Sequence, residues 1–348
     1  MKALVLEELK KPMVIREMPD PECSEEGVVI RVEANGVCRS DWHAWMGDWD
    51  WWETSFPHVL GHEFSGVIEE TGKHVKRFKR GDRVIVPFTN GDGTCTHCLS
   101  GHHNVCENVQ MPGFTSWGGY GQYAHVPNAD INLTKLPESI DFRVGAGMGC
   151  RFMTAFHGIT DQAAVRPGEW VAIHGCGGLG LSAVQIATAL GANVIAVDID
   201  DKKLTFAQKL GAVATINARK DNPAKVLKEI TKGGAHVSID ALGITQTCQA
   251  SLLSLRKRGR HLQLGFTTKE EAGMIPVPID LIVQSEIQIA GSIAMPPSQY
   301  PYMLNMVENG KLDPGALITD TVSVEEVPEV FEQMSDFQNI GVTVVNNW

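Results

Sequence analysis

The stretch that most constrains this chain is "EWVAIHGCGGLGLSAVQIATALGANVIAVD", residues 169–198. Its first seven residues (169–175) read as an apolar strand, "LGLSAVQIATAL" (179–190) as a helix and "NVIAVD" (193–198) as a second strand, with a glycine-rich turn after the first. The rhythm continues with a helix over 201–211 stopped by Gly211, then strands at 213–216, 236–242 and 260–265. Apolar strands alternating with amphipathic helices predict an α/β unit, a parallel sheet covered on both faces.

The chain before this unit has a different texture. "VVIRVEANGV" (28–37), "FSGVIEE" (64–70), "GDRVIVP" (81–87) and "GQYAHVP" (121–127) are β-rich segments broken by turn residues, which predicts a strand-rich, barrel-like domain. After "IQIAGSI" (287–293) the chain returns to proline-rich turns, one helix around 302–310 and a last β segment, "GVTVVNN". The two ends can therefore pair in one domain, 1–153 with 291–348, with the α/β unit, 154–290, inserted between them, an arrangement that periodicity alone does not establish. A length of 348 residues accommodates about two domains.

Gly175, Gly177 and Gly180 have G-x-G-x-x-G spacing between a predicted strand and helix. Such glycines permit a tight turn, close approach of backbone to a pyrophosphate, and close helix–strand contact, while Gly178 and Leu179 open the helix whose N–H groups face the phosphates. The spacing is weak by itself, because turn glycines are common in this fold class. Here the second strand ends at Asp198, 18 residues after Gly180, where a carboxylate accepts hydrogen bonds from an adenosine ribose and repels a 2′-phosphate. The cofactor expected is NAD(H) rather than NADP(H).

A formal charge of −11 argues against nucleic acid and anionic membranes as partners. No apolar run approaches a membrane span, and the N-terminal residues lack a long apolar core or cleavage site, so a cytoplasmic location is expected. In that compartment the close spacing of Cys95, Cys98 and Cys106 favours metal over disulfide. Asp92 stands three residues before the first of them. Cys38, His62 and Cys150 are further possible ligands: two thiolates and an imidazole with a fourth position open make a catalytic zinc site. Spacing does not select these three, since scattered cysteines and histidines also fill cores.

"GVCRSDWHAW", "GHEFSGVI", "HGCGGLG" and the cysteine loop, in this order and at these distances, resemble the zinc-dependent alcohol dehydrogenases of the medium-chain dehydrogenase/reductase family, over nearly the whole chain. The resemblance implies a GroES-like catalytic domain built from both chain ends with an inserted Rossmann-type, doubly wound domain. It implies catalytic-zinc ligation by Cys38, His62 and Cys150, with Glu63 able to approach the metal during ligand exchange and Asp41 bonded to the other nitrogen of His62. It further implies that Ser40 receives the alcohol proton, which passes through the nicotinamide ribose to His43 and solvent. Lys203 would contact the adenosine ribose, Thr154 would lie beside the nicotinamide, and Arg39 would contact the pyrophosphate. Many relatives carry a C-terminal pyrophosphate-binding arginine where this chain has Val342, in "IGVTVV".

Aligned on "GHHNVC", the family's structural-zinc pattern C-x2-C-x2-C-x7-C becomes D-x2-C-x2-C-x7-C, with Asp92, Cys95, Cys98 and Cys106 as ligands. A carboxylate preserves the charge of the site but is a harder donor than a thiolate. His97, His102 and His103 are competing donors. Two zinc ions per chain are thus implied.

Trp42, Trp45, Trp49, Trp51 and Trp52 fall within one short run, a density that suits walls for an apolar ligand as well as packing. Trp49 resembles a substrate-pocket position of the family, and Trp117 is a second candidate. The activity implied is reversible NAD-linked oxidation of apolar, bulky or cyclic primary or secondary alcohols to aldehydes or ketones, in a homotetramer. Rival readings are a polyol or amino-alcohol dehydrogenase of the same family, and a zinc-free quinone reductase or non-catalytic relative.

Overall fold

The computed structural model describes residues 1–49, 52, 55–336 and 339–348. The chain forms two compact units, one of Met1–Met153, Ala294–Glu308 and Pro314–Trp348, the other of Thr154–Ile293 and Asn309–Asp313.

In the first unit a seven-stranded sheet runs through Ile318–Ser323, Val342–Asn347, Val28–Val37, Glu63–Thr71, Arg83–Ile85 and Thr134–Lys135, with Tyr123–Val126 also paired to Val28–Val37. The last strand of the chain lies antiparallel to Val28–Val37, pairing Thr343 with Val37 and Val345 with Asn35, so both chain ends build one sheet. Its core contains Val28, Ile30, Phe64, Ile68 and Val84, all without solvent exposure. Each such aliphatic or aromatic side chain contributes about 1.5–3 kcal/mol through burial. The tight packing positions the ends of Val28–Val37 and Glu63–Thr71, from which Cys38 and His62 are presented.

The second unit is a six-stranded, all-parallel sheet in the order Ala214–Asn217, Asn193–Asp198, Trp170–His174, Ala235–Asp240, Leu255–Gln263 and Gln288–Gly291. Numbered along the chain this is 3-2-1-4-5-6, the doubly wound order that creates a crevice beyond the carboxyl ends of its first and fourth strands. Val171, Ala172, Ile173, Val194, Ile195 and Ala196 are fully buried, as continuous apolar runs require. Helices absent from the sequence reading, among them Pro223–Thr231, Thr245–Leu253 and Ile279–Gln284, also belong to the unit. No helix among the described residues is long and apolar enough to cross a membrane.

Candidate active site

In the first unit, Cys38 ends the strand Val28–Val37 and starts the helix Arg39–Met46; His62 immediately precedes the strand Glu63–Thr71. Cys150 lies in Met148–Phe152, a π-helical turn, where the wider ring breaks regular helix spacing and re-aims a side chain. Three separate elements thereby bring donor atoms of Cys38, His62, Glu63 and Cys150 within 4.8 Å of one another, all four residues buried.

Asp41 organises this cluster. Its fully buried carboxylate accepts from His62 Nδ1 at 2.8 Å and Gly61 N at 3.1 Å through Oδ1, and from Cys38 N and Tyr120 Oη, each at 3.2 Å, through Oδ2. The first bond fixes the His62 proton on Nδ1 and leaves the Nε2 lone pair facing the cluster. Nε2 is buried and has no hydrogen-bond partner among the described residues. A buried imidazole nitrogen beside two thiols fits zinc, whose preferred donors are nitrogen and sulfur.

The electrostatics agree. A hydrogen bond from Cys150 holds the Cys38 thiol well below its ordinary range, while the same contact with Cys38 pushes Cys150 up. Burial opposes a proton on His62, but Asp41 and Cys38 outweigh it and raise its affinity for one. Cys38 gives up its proton readily, while Cys150 and His62 hold protons that a divalent cation would displace. Glu63 does not stand free: Arg151 donates to its Oε1 through Nε at 2.9 Å and to its Oε2 through Nη2 at 2.5 Å. Burial pushes Glu63 up to about 7, against the pull of Arg151.

Ser40 and His43 are half-buried on the helix Arg39–Met46. His43 Nδ1 bonds Asp48 Oδ2 at 2.7 Å and its ring stacks on Trp49 with centroids 5.3 Å apart, an orientation invisible in the sequence reading. Burial lowers its pKa. Arg39 stacks over the Trp42 ring at 3.8 Å and donates to the Met334 carbonyl. An aromatic wall adjoins His62: Phe114 is 4.8 Å away between centroids, Phe88 is 5.7 Å away, and Trp49 and Trp52 each pack on Phe114 at 6.1 Å. Trp117 is partly buried against the same core. Trp42 and Trp45 point their N–H groups at Ser335 Oγ and the Lys11 carbonyl. Trp51 lies outside the described residues.

The cysteine loop forms the second cluster, with donor atoms of Asp92, Cys95, Cys98 and Cys106 also within 4.8 Å. Asp92 Oδ1 accepts from Thr94 N at 2.8 Å and Cys95 N at 3.1 Å, and Oδ2 from Asn108 Nδ2 at 2.7 Å; these bonds hold the carboxyl well below its usual range. Backbone N–H groups of Asp92 and Asn108 point at Cys106 Sγ, each at 3.3 Å, as they do toward thiolates. An ionised oxygen and three sulfurs fit a closed, tetrahedral zinc site.

In the second unit the turn after Trp170–His174 carries Gly175 at φ +93°, which favours glycine. A Cβ on Gly180 would lie 1.8 Å from the Gly175 carbonyl oxygen, whereas one on Gly177 would meet nothing within 4 Å. Gly180 thus closes helix onto turn, and Gly177 borders open space. The helix Gly178–Ala189 starts without a side-chain cap, leaving Gly178 and Leu179 in its first turn. Asp198 accepts from Cys176 N at 2.6 Å, Ile199 N at 2.7 Å and Asp200 N at 3.0 Å at the end of its strand. Lys203 lies in the first turn of Asp201–Lys209. Thr154 Oγ1 is buried with no partner among the described residues. This cradle fits the diphosphate and adenosine ribose of a dinucleotide.

Residues 24–138 match the family described as Alcohol dehydrogenase GroES-like domain, and residues 178–309 the one described as Zinc-binding dehydrogenase. The chain is 36% identical to an alcohol dehydrogenase of Geobacillus stearothermophilus, over 99% of each sequence. It is 31% identical to an NAD-dependent alcohol dehydrogenase of Sulfurisphaera tokodaii, over 99% of each, and 32% identical to an L-threonine 3-dehydrogenase of Bacillus velezensis, over 96% of this chain and 95% of that one. The crystal structure of the alcohol dehydrogenase from Aeropyrum pernix superposes with a TM-score of 0.90 at 30% identity, covering 99% of this chain and all of the other. With this likeness over its full length, the chain belongs to the zinc-type alcohol dehydrogenases of the medium-chain dehydrogenase/reductase family and is an oxidoreductase.

Proposed function

We propose that this enzyme carries out reversible, zinc-dependent, NAD(H)-linked oxidation of apolar primary or secondary alcohols to aldehydes or ketones. The observation that carries the reading is the unpartnered, buried Nε2 of His62, aimed at two thiols and fixed in its tautomer by Asp41. When bound by Cys38, His62 and Cys150, zinc supplies a positive charge against which negative charge develops on the substrate oxygen. NAD+ supplies the hydride acceptor.

The chain's own residues do the rest. N–H groups of Gly178 and Leu179 hold the cofactor phosphates, Asp198 accepts from the adenosine ribose, and Lys203, Thr154 and Arg39 add contacts along the dinucleotide. Ser40 takes the hydroxyl proton and His43 hands it to solvent. Asp48 keeps the His43 ring oriented, and burial keeps that histidine neutral and able to accept. Glu63, paired with Arg151, is the carboxylate that would be near enough to approach a bound metal. Trp49, Trp117 and the Phe88–Phe114 wall beside His62 exclude water and favour apolar substituents.

A second zinc, held by Asp92, Cys95, Cys98 and Cys106, ties the loop. The close spacing of Cys95, Cys98 and Cys106, which suits metal rather than disulfide, is in keeping with a reducing, cytoplasmic setting. The family likeness supports a homotetramer. The L-threonine 3-dehydrogenase relative favours an amino-alcohol as the second reading. A panel of cyclic, aromatic, linear and amino alcohols with NAD+ and NADP+ tests both: highest kcat/KM on apolar alcohols with NAD+ is expected, and dominance by threonine or polyols overturns the apolar assignment. Ser40→Ala with zinc retained is expected to lower kcat by at least about tenfold.

A further inference from the structure

The carboxyl ends of the parallel strands hold the dinucleotide cradle, but the chain has also built a cavity at their amino ends. About 570 Å³ in volume, it is lined by Glu169, His236, Arg256, Lys257, Arg258 and Arg260, with Glu286 and Gln288 at its side. Four cationic side chains within five positions are conspicuous in a chain of net charge −11.

The backbone is distorted to place them. Leu255 pairs with Ala235 but Arg260 pairs with Val237, so residues 256–259 leave the ladder as a bulge. Arg258 sits at φ +59°, strained for a residue with a side chain, and its N–H is held by the Ser285 carbonyl at 2.7 Å. Gly234 makes room, since a Cβ there would come within 2.5 Å of Arg256 N.

The charges are only partly matched. Arg260 pairs with Glu169 at 2.5 Å and Arg258 with Glu286 at 3.4 Å. Arg256 and Lys257 have no carboxylate partner among the described residues, and the buried Nε of Arg260 has no hydrogen-bond partner there either. His236 Nδ1 accepts the Trp170 N–H at 3.0 Å, so in the neutral ring the proton is on Nε2. That nitrogen lies 2.7 Å from Arg256 Nη1, setting two N–H donors against each other. Burial, with Arg256 beside it, holds His236 below its ordinary range and therefore neutral. Facing donors call for an acceptor that both can bond.

We infer that this cavity is a binding site for a small phosphate-type anion, either inorganic phosphate or a phosphorylated metabolite, held by Arg256, Lys257 and His236 at the end of the sheet remote from the dinucleotide cradle. Arginine suits such a ligand because its planar fork matches phosphate oxygens.

The test is calorimetric titration of the zinc- and NADH-loaded enzyme, whose own phosphate cradle is then filled, with inorganic phosphate in one arm and glucose 6-phosphate in the other. Saturable binding of either is expected, with the tighter ligand identifying the source, and R256Q/K257Q should weaken it at least tenfold. Both substituted side chains are exposed, so the variant should keep the unfolding midpoint of the parent. No saturable binding in either arm, or equal affinity in the variant, would overturn the proposal. An independent check is the imidazole nitrogen resonance of His236, expected to move on phosphate addition; a resonance that stays fixed at saturation also overturns it.

Discussion

Replacing Asp41 by asparagine tests how the Cys38–His62–Cys150 cluster is held. The carboxylate accepts four hydrogen bonds, two on each oxygen. An asparagine can present its carbonyl to His62 Nδ1 and Gly61 N, but its amide then faces the Cys38 N–H as a second donor, while Tyr120 can rotate its hydroxyl to accept. One buried N–H is left without an acceptor, at about 1–3 kcal/mol. The flipped amide is worse, because His62 Nδ1 must then accept and the proton moves to Nε2, the nitrogen that should bind metal. Holding the productive arrangement therefore costs about 1–3 kcal/mol, the same order as a ten- to hundredfold loss of metal affinity, which is the range typical of residues that orient a ligand. Competition between Asp41→Asn protein and a chromophoric zinc chelator measures it, with the zinc of the cysteine loop as an internal reference. Affinity at the Cys38 cluster is expected to fall about 10- to 100-fold with the reference site unchanged. A change below about threefold would refute the claim that Asp41 positions the imidazole.

Two glycine variants should separate packing from binding: Gly180→Ala forces a Cβ against the Gly175 carbonyl and should lower stability and NADH affinity together, whereas Gly177→Ala meets open space and should weaken NADH at least tenfold at unchanged stability, read by fluorescence titration and denaturant unfolding. Arg151→Met removes the cation that holds Glu63 ionised and should cost up to about 3–5 kcal/mol in urea unfolding well above pH 7, less at lower pH where Glu63 takes up a proton, with Arg151→Met/Glu63→Gln recovering much of the loss. His174 is fully buried, and burial lowers its pKa from 6.5 to about 3. The unfolded chain therefore takes up a proton near pH 6.5 that the folded chain refuses until near pH 3, so stability falls as pH drops through that window, by on the order of 5 kcal/mol in full. His174→Phe should show a shallower fall between pH 6.5 and 4.5 in denaturant midpoints; an unaltered slope would assign the acid sensitivity elsewhere.

The parts of this molecule written locally were the legible ones. Strand 193–198 is read to the residue because its apolar run is bounded by Gly191 and Asp198, and the glycine turn announces itself by spacing. The helix Pro223–Thr231 escaped the reading although its start is signalled by Asn222, whose side chain caps Lys225 N, and by Pro223 in the first turn. The site is less local. Arg151 reaches Glu63 across 88 positions and Tyr120 reaches Asp41 across 79, pairings set by the sheet and by the π-helical turn at Cys150 rather than by any nearby pattern. The tryptophan run misleads in a physical way: identical indoles at 42 and 45 anchor to Ser335 and Lys11, while Trp49 turns to His43 and Phe114. Which ring lines a site is set by the long-range packing around it, and composition carries no trace of that choice.

The most direct measurement is NADH formation from NAD+ and a cyclic alcohol such as cyclohexanol, followed by absorbance, in parent protein, in protein stripped of zinc and then restored, and in Cys150→Ser. Turnover that disappears on stripping, returns with zinc and is at least about a hundredfold lower in Cys150→Ser is the expected result. Undiminished NADH formation without zinc or without the Cys150 thiol would contradict the assignment of catalysis to the Cys38–His62–Cys150 cluster.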